Sequence, residues 1–141
     1  MPFHFENIDW LAVLASAVIN FFVGAIWYTA LFGKLWIKLN GYSEEQVKEM
    51  QAKMSPLRFF GGMILSQILL ALAVAFVLTG FAESTLQSGL LVGLAFWLVS
   101  AAISMTNHLA SDRPDGLYAL NVTCHLIYLL VVGALIGIWH K

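Results

Sequence analysis

Four long, uninterrupted apolar runs dominate the chain, at residues 10–31, 57–81, 86–109 and 117–139, with short polar segments between them. Crossing about 30 Å of hydrocarbon at about 1.5 Å per residue takes about 20 apolar residues, so each run is long enough for a membrane helix. The runs are continuous rather than alternating, which predicts helices and not barrel strands. Trp10, Trp27, Tyr28, Trp36 and Trp139 fall near run ends, where an amphipathic ring sits well among lipid headgroups.

The polar segments define the connections. The longest, residues 33–56, contains Ser43-Glu44-Glu45-Gln46, in which Ser43 and Gln46 have capping-box spacing and start a short helix. On that helix Val47, Met50 and Met54 share one face, while Glu44 with Lys48 and Glu49 with Lys53 form i,i+4 pairs on the other. Such a helix is expected to lie on the membrane surface. Ser55-Pro56 then opens the second long helix, since proline at a first turn lacks only an N–H without a helical partner. Around Glu83-Ser84, Ser84 and Gln87 repeat the capping-box spacing and predict a tight antiparallel hairpin of helices two and three. Residues 111–116, with Asp112, Arg113, Pro114 and Asp115, form another short polar turn. The expected fold is all-α and polytopic. One domain, residues 1–141, holds four transmembrane helices in an antiparallel bundle, plus one short amphipathic interfacial helix between helices one and two.

Composition agrees. The chain is 60% hydrophobic and 11% charged, against about 25% charged in soluble domains, and its mean hydropathy is +0.83. A net charge of −1 offers neither a basic excess for nucleic acid nor an acidic tail, which leaves membrane lipid as the default partner. The single cysteine, Cys124, has no intrachain disulfide partner and reads as a small packing residue. No Lys or Arg precedes the first run, which is too long for a signal-peptide core and reads as a retained membrane helix.

Basic residues set the expected orientation. Lys34, Lys38, Lys48, Lys53, Arg58 and Arg113 belong to the side shared by the first and third connections, and Lys141 stands alone opposite. The positive-inside bias places both termini outside the cytoplasm.

Polar side chains within the runs are costly in lipid unless paired or turned toward a protected interior. They are Asn20; Ser66 and Gln67; Ser100, Ser104, Asn107 and His108; and Asn121, Cys124, His125 and Tyr128. In the expected orientation Asn121 and His125 lie about 6 to 12 Å inside the cytoplasmic face. Trp27, Tyr28, Asn107 and His108 are near the same level, and Asn121, His125 and Tyr128 share one helical face. These positions predict a cytoplasm-facing polar pocket among helices one, three and four, built from Asn20, Trp27, Tyr28, Asn107, His108, Asn121 and His125. The same residues also fit a second reading, as glue that bonds neighbouring helices around no cavity.

Candidate chemistry is sparse. Two histidines with no cysteine partner and no HxxxH spacing give no metal or haem set, so neither metal nor cofactor is expected. No Asp, Glu, Lys or Arg lies in the interior of a run, which argues against an ion-coupled pump and leaves His125 as the one candidate for a buried proton carrier. Ser104 and His108 are i,i+4 neighbours without an orienting acid, so no catalytic residue is assigned and the pattern points away from an enzyme. Ala12, Ser16, Asn20 and Gly24, Gly89 and Gly93, and Gly133 and Gly137 are spaced for close helix contact, within the bundle or between copies. A pore from so few helices forms most easily by association, so a homo-oligomer is expected.

The stretch Gly24-Ala25-Ile26-Trp27-Tyr28, followed by Phe32-Gly33-Lys34 and Trp36, resembles the first signature of the bacterial membrane proteins grouped as domain-of-unknown-function family 1761. Asn121, His125-Leu126 and residues 133–139 are similar to that family's last helix, and Asn107 with the Arg113 turn fits the pattern before it. The resemblance implies a four-helix membrane protein and assigns no activity; in a bacterium, the orientation expected from the basic residues means the inner membrane with periplasmic termini. Two functions remain in view: transport or a channel for a small solute, with a small-molecule ligand in the polar pocket, and a non-catalytic accessory that docks a partner on its basic cytoplasmic surface.

Overall fold

The structure, a computed structural model, describes residues 3–139. Helix α1 (Trp10–Ile26) continues into a π-helical turn (Trp27–Leu31) and is followed by α2 (Gly33–Asn40), α3 (Glu44–Lys53), α4 (Pro56–Leu78), α5 (Leu86–Leu109) and α6 (Asp115–Ile138). Four of these, α1 with its π turn, α4, α5 and α6, are long and apolar enough to cross a membrane. They pack together, so the chain is an all-α protein of the membrane type.

Local chemistry explains where the helices start. Asp9 caps α1 by accepting from the backbone N–H of Leu11 and Ala12. Ser43 and Gln46 close the expected capping box, with Ser43 N–H donating to Gln46 Oε1 at 2.8 Å and Gln46 N–H to Ser43 Oγ at 3.2 Å. Ser55 caps α4 and Pro56 stands in its first turn. At α5 the box is one residue later than the sequence spacing suggested. Thr85, not Ser84, is the cap, and its partner is Ser88 rather than Gln87. Helix α2 was read from sequence as part of a connection; it ends at Gly41, whose φ of +72° is left-handed backbone that glycine adopts without steric cost.

The core is made of small residues. Ala12, Val13, Ser16 and Ala17 of α1 and Ala71, Val74 and Ala75 of α4 are buried, while Leu11, Leu14, Val18 and Phe22 of α1 and Leu98, Val99 and Ile103 of α5 face outward. In lipid, tails are as apolar as leucine and give no reason to hide it, so close backbone approach governs which face turns inward. The closest approach joins α5 to α6. A side chain on Gly89 would collide with the Gly133 backbone and one on Gly93 with the Leu129 carbonyl. Trp97 Nε1 donates to the Val122 carbonyl and Tyr118 Oη to the Ala101 carbonyl, both at 2.8 Å. These pairs run in opposite chain directions, as expected for helices joined by a short turn.

The glycine and small-residue stripes of α1, α5 and α6 are therefore used inside one chain. The expected tight pairing of α4 with α5 is replaced by another arrangement: α4 packs mainly against α1, and α5 mainly against α6. On the side carrying the basic residues, Arg113 donates from Nη1 to the Asn40 carbonyl at 2.8 Å, tying the α5–α6 turn to the end of α2.

Candidate functional site

Because α4 leans on α1 and α5 on α6, a space opens between α4 and α5. It is a cavity of ≈ 650 Å³. Met63, Leu69, Leu70 and Ala73 of α4 form one wall, Phe96 of α5 the opposite one, and Leu129 of α6 part of the back. Polar residues join the lining from each of the four long helices: Tyr28 from the π turn that ends α1, Ser66 and Gln67 from α4, Ser100 from α5, and His125 and Tyr128 from α6. Gln67 lies midway along α4, so the cavity sits at middle depth, and no charged side chain among the described residues lines it.

Each polar wall residue is placed for a local reason. The π turn begins at Trp27, where α1 loosens its winding and Phe32 N–H bonds to the Trp27 carbonyl at 2.9 Å, five residues back. Single π turns inside α-helices are frequent at functional sites. This one carries Tyr28, whose hydroxyl donates to Asn121 Oδ1 at 2.7 Å. One helical turn further along α6 is His125, and beyond it Tyr128, whose hydroxyl lies over Gly24, where a larger residue would displace it. Asn20 donates from Nδ2 to the Tyr128 carbonyl at 3.0 Å, fixing α1 against α6.

Two wall atoms stand out. His125 Nδ1 and Gln67 Oε1 are both buried without a hydrogen-bond partner, and both residues belong to the cavity wall. A buried polar atom left unpaired costs about 1–3 kcal/mol, so both side chains keep hydrogen-bonding capacity that the described residues leave unused. Asn20 Oδ1 and Trp27 Nε1 are also buried and unpartnered, but their residues are outside the cavity lining.

The predicted pocket is thus regrouped. Tyr28 and His125 line the cavity; Asn20 and Asn121 stand behind it, bonded to Tyr128 and Tyr28. Trp27 stacks near Phe32, ring centroids 4.5 Å apart. Asn107 is exposed, and His108 pairs through Nε2 with Asp115 Oδ1 at 2.8 Å beside the Tyr118 ring, so neither joins the cavity. Gln67, Ser66 and Ser100 were visible as polar interruptions of apolar runs, but depth along the sequence did not place them in one site with His125. A cavity between α4 and α5 was hidden by the expectation that those helices close on each other.

The match to known proteins covers most of this architecture. The family described as a protein of unknown function, DUF1761, matches residues 11–137, from the first turn of α1 to the last of α6. The chain belongs to the DUF1761 family. No curated protein and no solved structure matches it. Both the π turn with Tyr28 and the α6 face with Asn121 and His125 fall inside the region matched to DUF1761. Among the described residues, no group of three or more His, Cys, Asp or Glu side chains is placed to hold a metal ion.

Proposed function

We propose that this DUF1761 protein binds, and carries within the membrane, a neutral small molecule with an apolar body and one hydrogen-bonding group. The observation that carries this reading is that one cavity is lined by two residues, His125 and Gln67, each of which holds a buried, unpartnered polar atom, Nδ1 and Oε1. Walls of Leu, Met and Phe favour an apolar body, and the uncharged lining disfavours an ion. Such a ligand reaches the site laterally from the lipid between α4 and α5. Transport of a small solute is the wider function we assign to the site.

The accompanying placement is an inner membrane, with α3 on the cytoplasmic surface and both termini on the opposite side. Its support is the basic residues Lys34, Lys38, Lys48, Lys53, Arg58 and Arg113, gathered on the side of α2, α3 and the α5–α6 turn. Lys141, the basic residue assigned to the other side, lies outside the described residues.

The test is extraction of the detergent-purified protein with organic solvent and mass spectrometry of what comes off. Wild type is expected to release one neutral species near a one-to-one ratio, and Gln67→Leu to release several-fold less. Only the bulk lipids of the host membrane, in equal amounts from both proteins, would sink the reading.

A further inference from the structure

A second, larger space lies at the basic end of the molecule. It is a groove of ≈ 770 Å³ between the π turn and α2 on one side and α3 with the start of α4 on the other. Trp36, Ile37, Val47, Met50, Met54 and Phe59 make it apolar, and Lys34 and Lys53 are its charged residues. Met50, Met54 and Phe59 remain 44%, 39% and 46% exposed, so this apolar surface has no cover within the chain. A smaller adjoining space shares Lys53, Met54 and Phe59 and adds Arg58. Three cations therefore border one continuous apolar surface, and among the described residues no Asp or Glu lines either space; Glu49 lines a further space that shares Met50 and Lys53 with the groove.

We propose that this groove is a binding site for one anionic phospholipid. Its phosphate is held by Lys34 and Lys53, with Arg58 beside them, and its acyl chain lies along Met50, Met54 and Phe59. Charge selects the occupant, because a zwitterionic lipid brings no net charge to a border that stays net positive with Lys34, Lys53 and Arg58 against Glu49 alone. The apolar floor selects a lipid over free phosphate, which would leave the exposed methionines and Phe59 uncovered. Helix α3 supplies the groove's outer wall, which explains why a short helix with Val47, Met50 and Met54 on one face is built into the longest connection. The site is separate from the mid-depth cavity and stands without it, although Tyr28 lines both.

Native mass spectrometry of the detergent-purified chain, titrated with phosphatidylglycerol or phosphatidylcholine, tests the proposal. Phosphatidylglycerol is expected to bind first and as a single molecule. A juxtamembrane basic residue contributes about 1 kcal/mol toward anionic lipid, about fivefold, so Lys34→Gln with Lys53→Gln should weaken it about 25-fold. Lys38→Gln with Lys48→Gln removes the same charge from residues outside the groove lining and should change it less than twofold. Met50→Ser should also weaken phosphatidylglycerol. Equal losses in the two lysine pairs would mean a diffuse surface charge and overturn the site, as would equal retention of the two lipids. Saturation by inorganic phosphate with the affinity of phosphatidylglycerol would assign the lysines to a free anion instead. Recovery of a cross-linked protein through Lys53, with phosphatidylglycerol unaffected by the lysine pair, would make the groove a protein docking surface.

Discussion

The phenol of Tyr28 and the amide of Asn121 meet at 2.7 Å, and this single bond joins the π turn at the end of α1 to the start of α6. Tyr28 is also the side chain common to the mid-depth cavity and the interfacial groove. The bond therefore holds the partition between them. A double-mutant cycle with Tyr28→Phe and Asn121→Leu, read by unfolding in mixed micelles, should give a coupling of about 0.6–1.7 kcal/mol, the range of interhelical hydrogen bonds in membranes. Additive effects would mean that the bond is not made.

Gln67 offers a test in which stability and function move oppositely. Its Oε1 is buried without a partner, so Gln67→Leu removes an unpaired group and should stabilise the empty protein by about 1 kcal/mol. The same change should reduce the amount of co-purified small molecule. A loss of stability would show that the amide is satisfied in the folded protein.

Glycines on different helices should behave in opposite ways. Gly133→Ala drives a methyl into the Gly89 carbonyl and should cost about 1–3 kcal/mol or prevent folding, because backbone has to move. Gly61→Ala meets no atom within 4 Å and should leave the midpoint of unfolding within about 0.5 kcal/mol of wild type.

Cys124 is fully buried at 0% exposure between α6 and its neighbours. A membrane-permeant maleimide should label it slowly in the folded protein and rapidly after denaturation in dodecyl sulfate. Fast labelling of the native state would place the α6 face in contact with solvent.

Orientation is tested by single cysteines at exposed positions. In intact cells, Lys48→Cys should be protected from a membrane-impermeant reagent and Glu83→Cys should react. The reverse pattern would invert the topology inferred from the basic residues.

The amino-acid order alone determined the four spans, the cap at Ser43 and the place of Pro56 in the first turn of α4, because uninterrupted apolar length, capping chemistry and proline geometry are local properties. It also marked Asn121 and His125 as polar groups that lipid would not accept uncovered, and Tyr28 as a run-end ring near their level. Tertiary structure decided which helices touch. All the long helices present similar apolar surfaces, so periodicity carries little information about partners, and steric fit chooses them. The meeting of Gly89 with Gly133 commits α5 to α6, and the small residues of α1 take α4. The cavity follows from those two pairings, since α4 and α5 are drawn apart around Gln67 and His125. The π turn was equally hidden: one extra residue in a turn leaves no mark in an apolar run, yet it is the element that carries Tyr28 to Asn121.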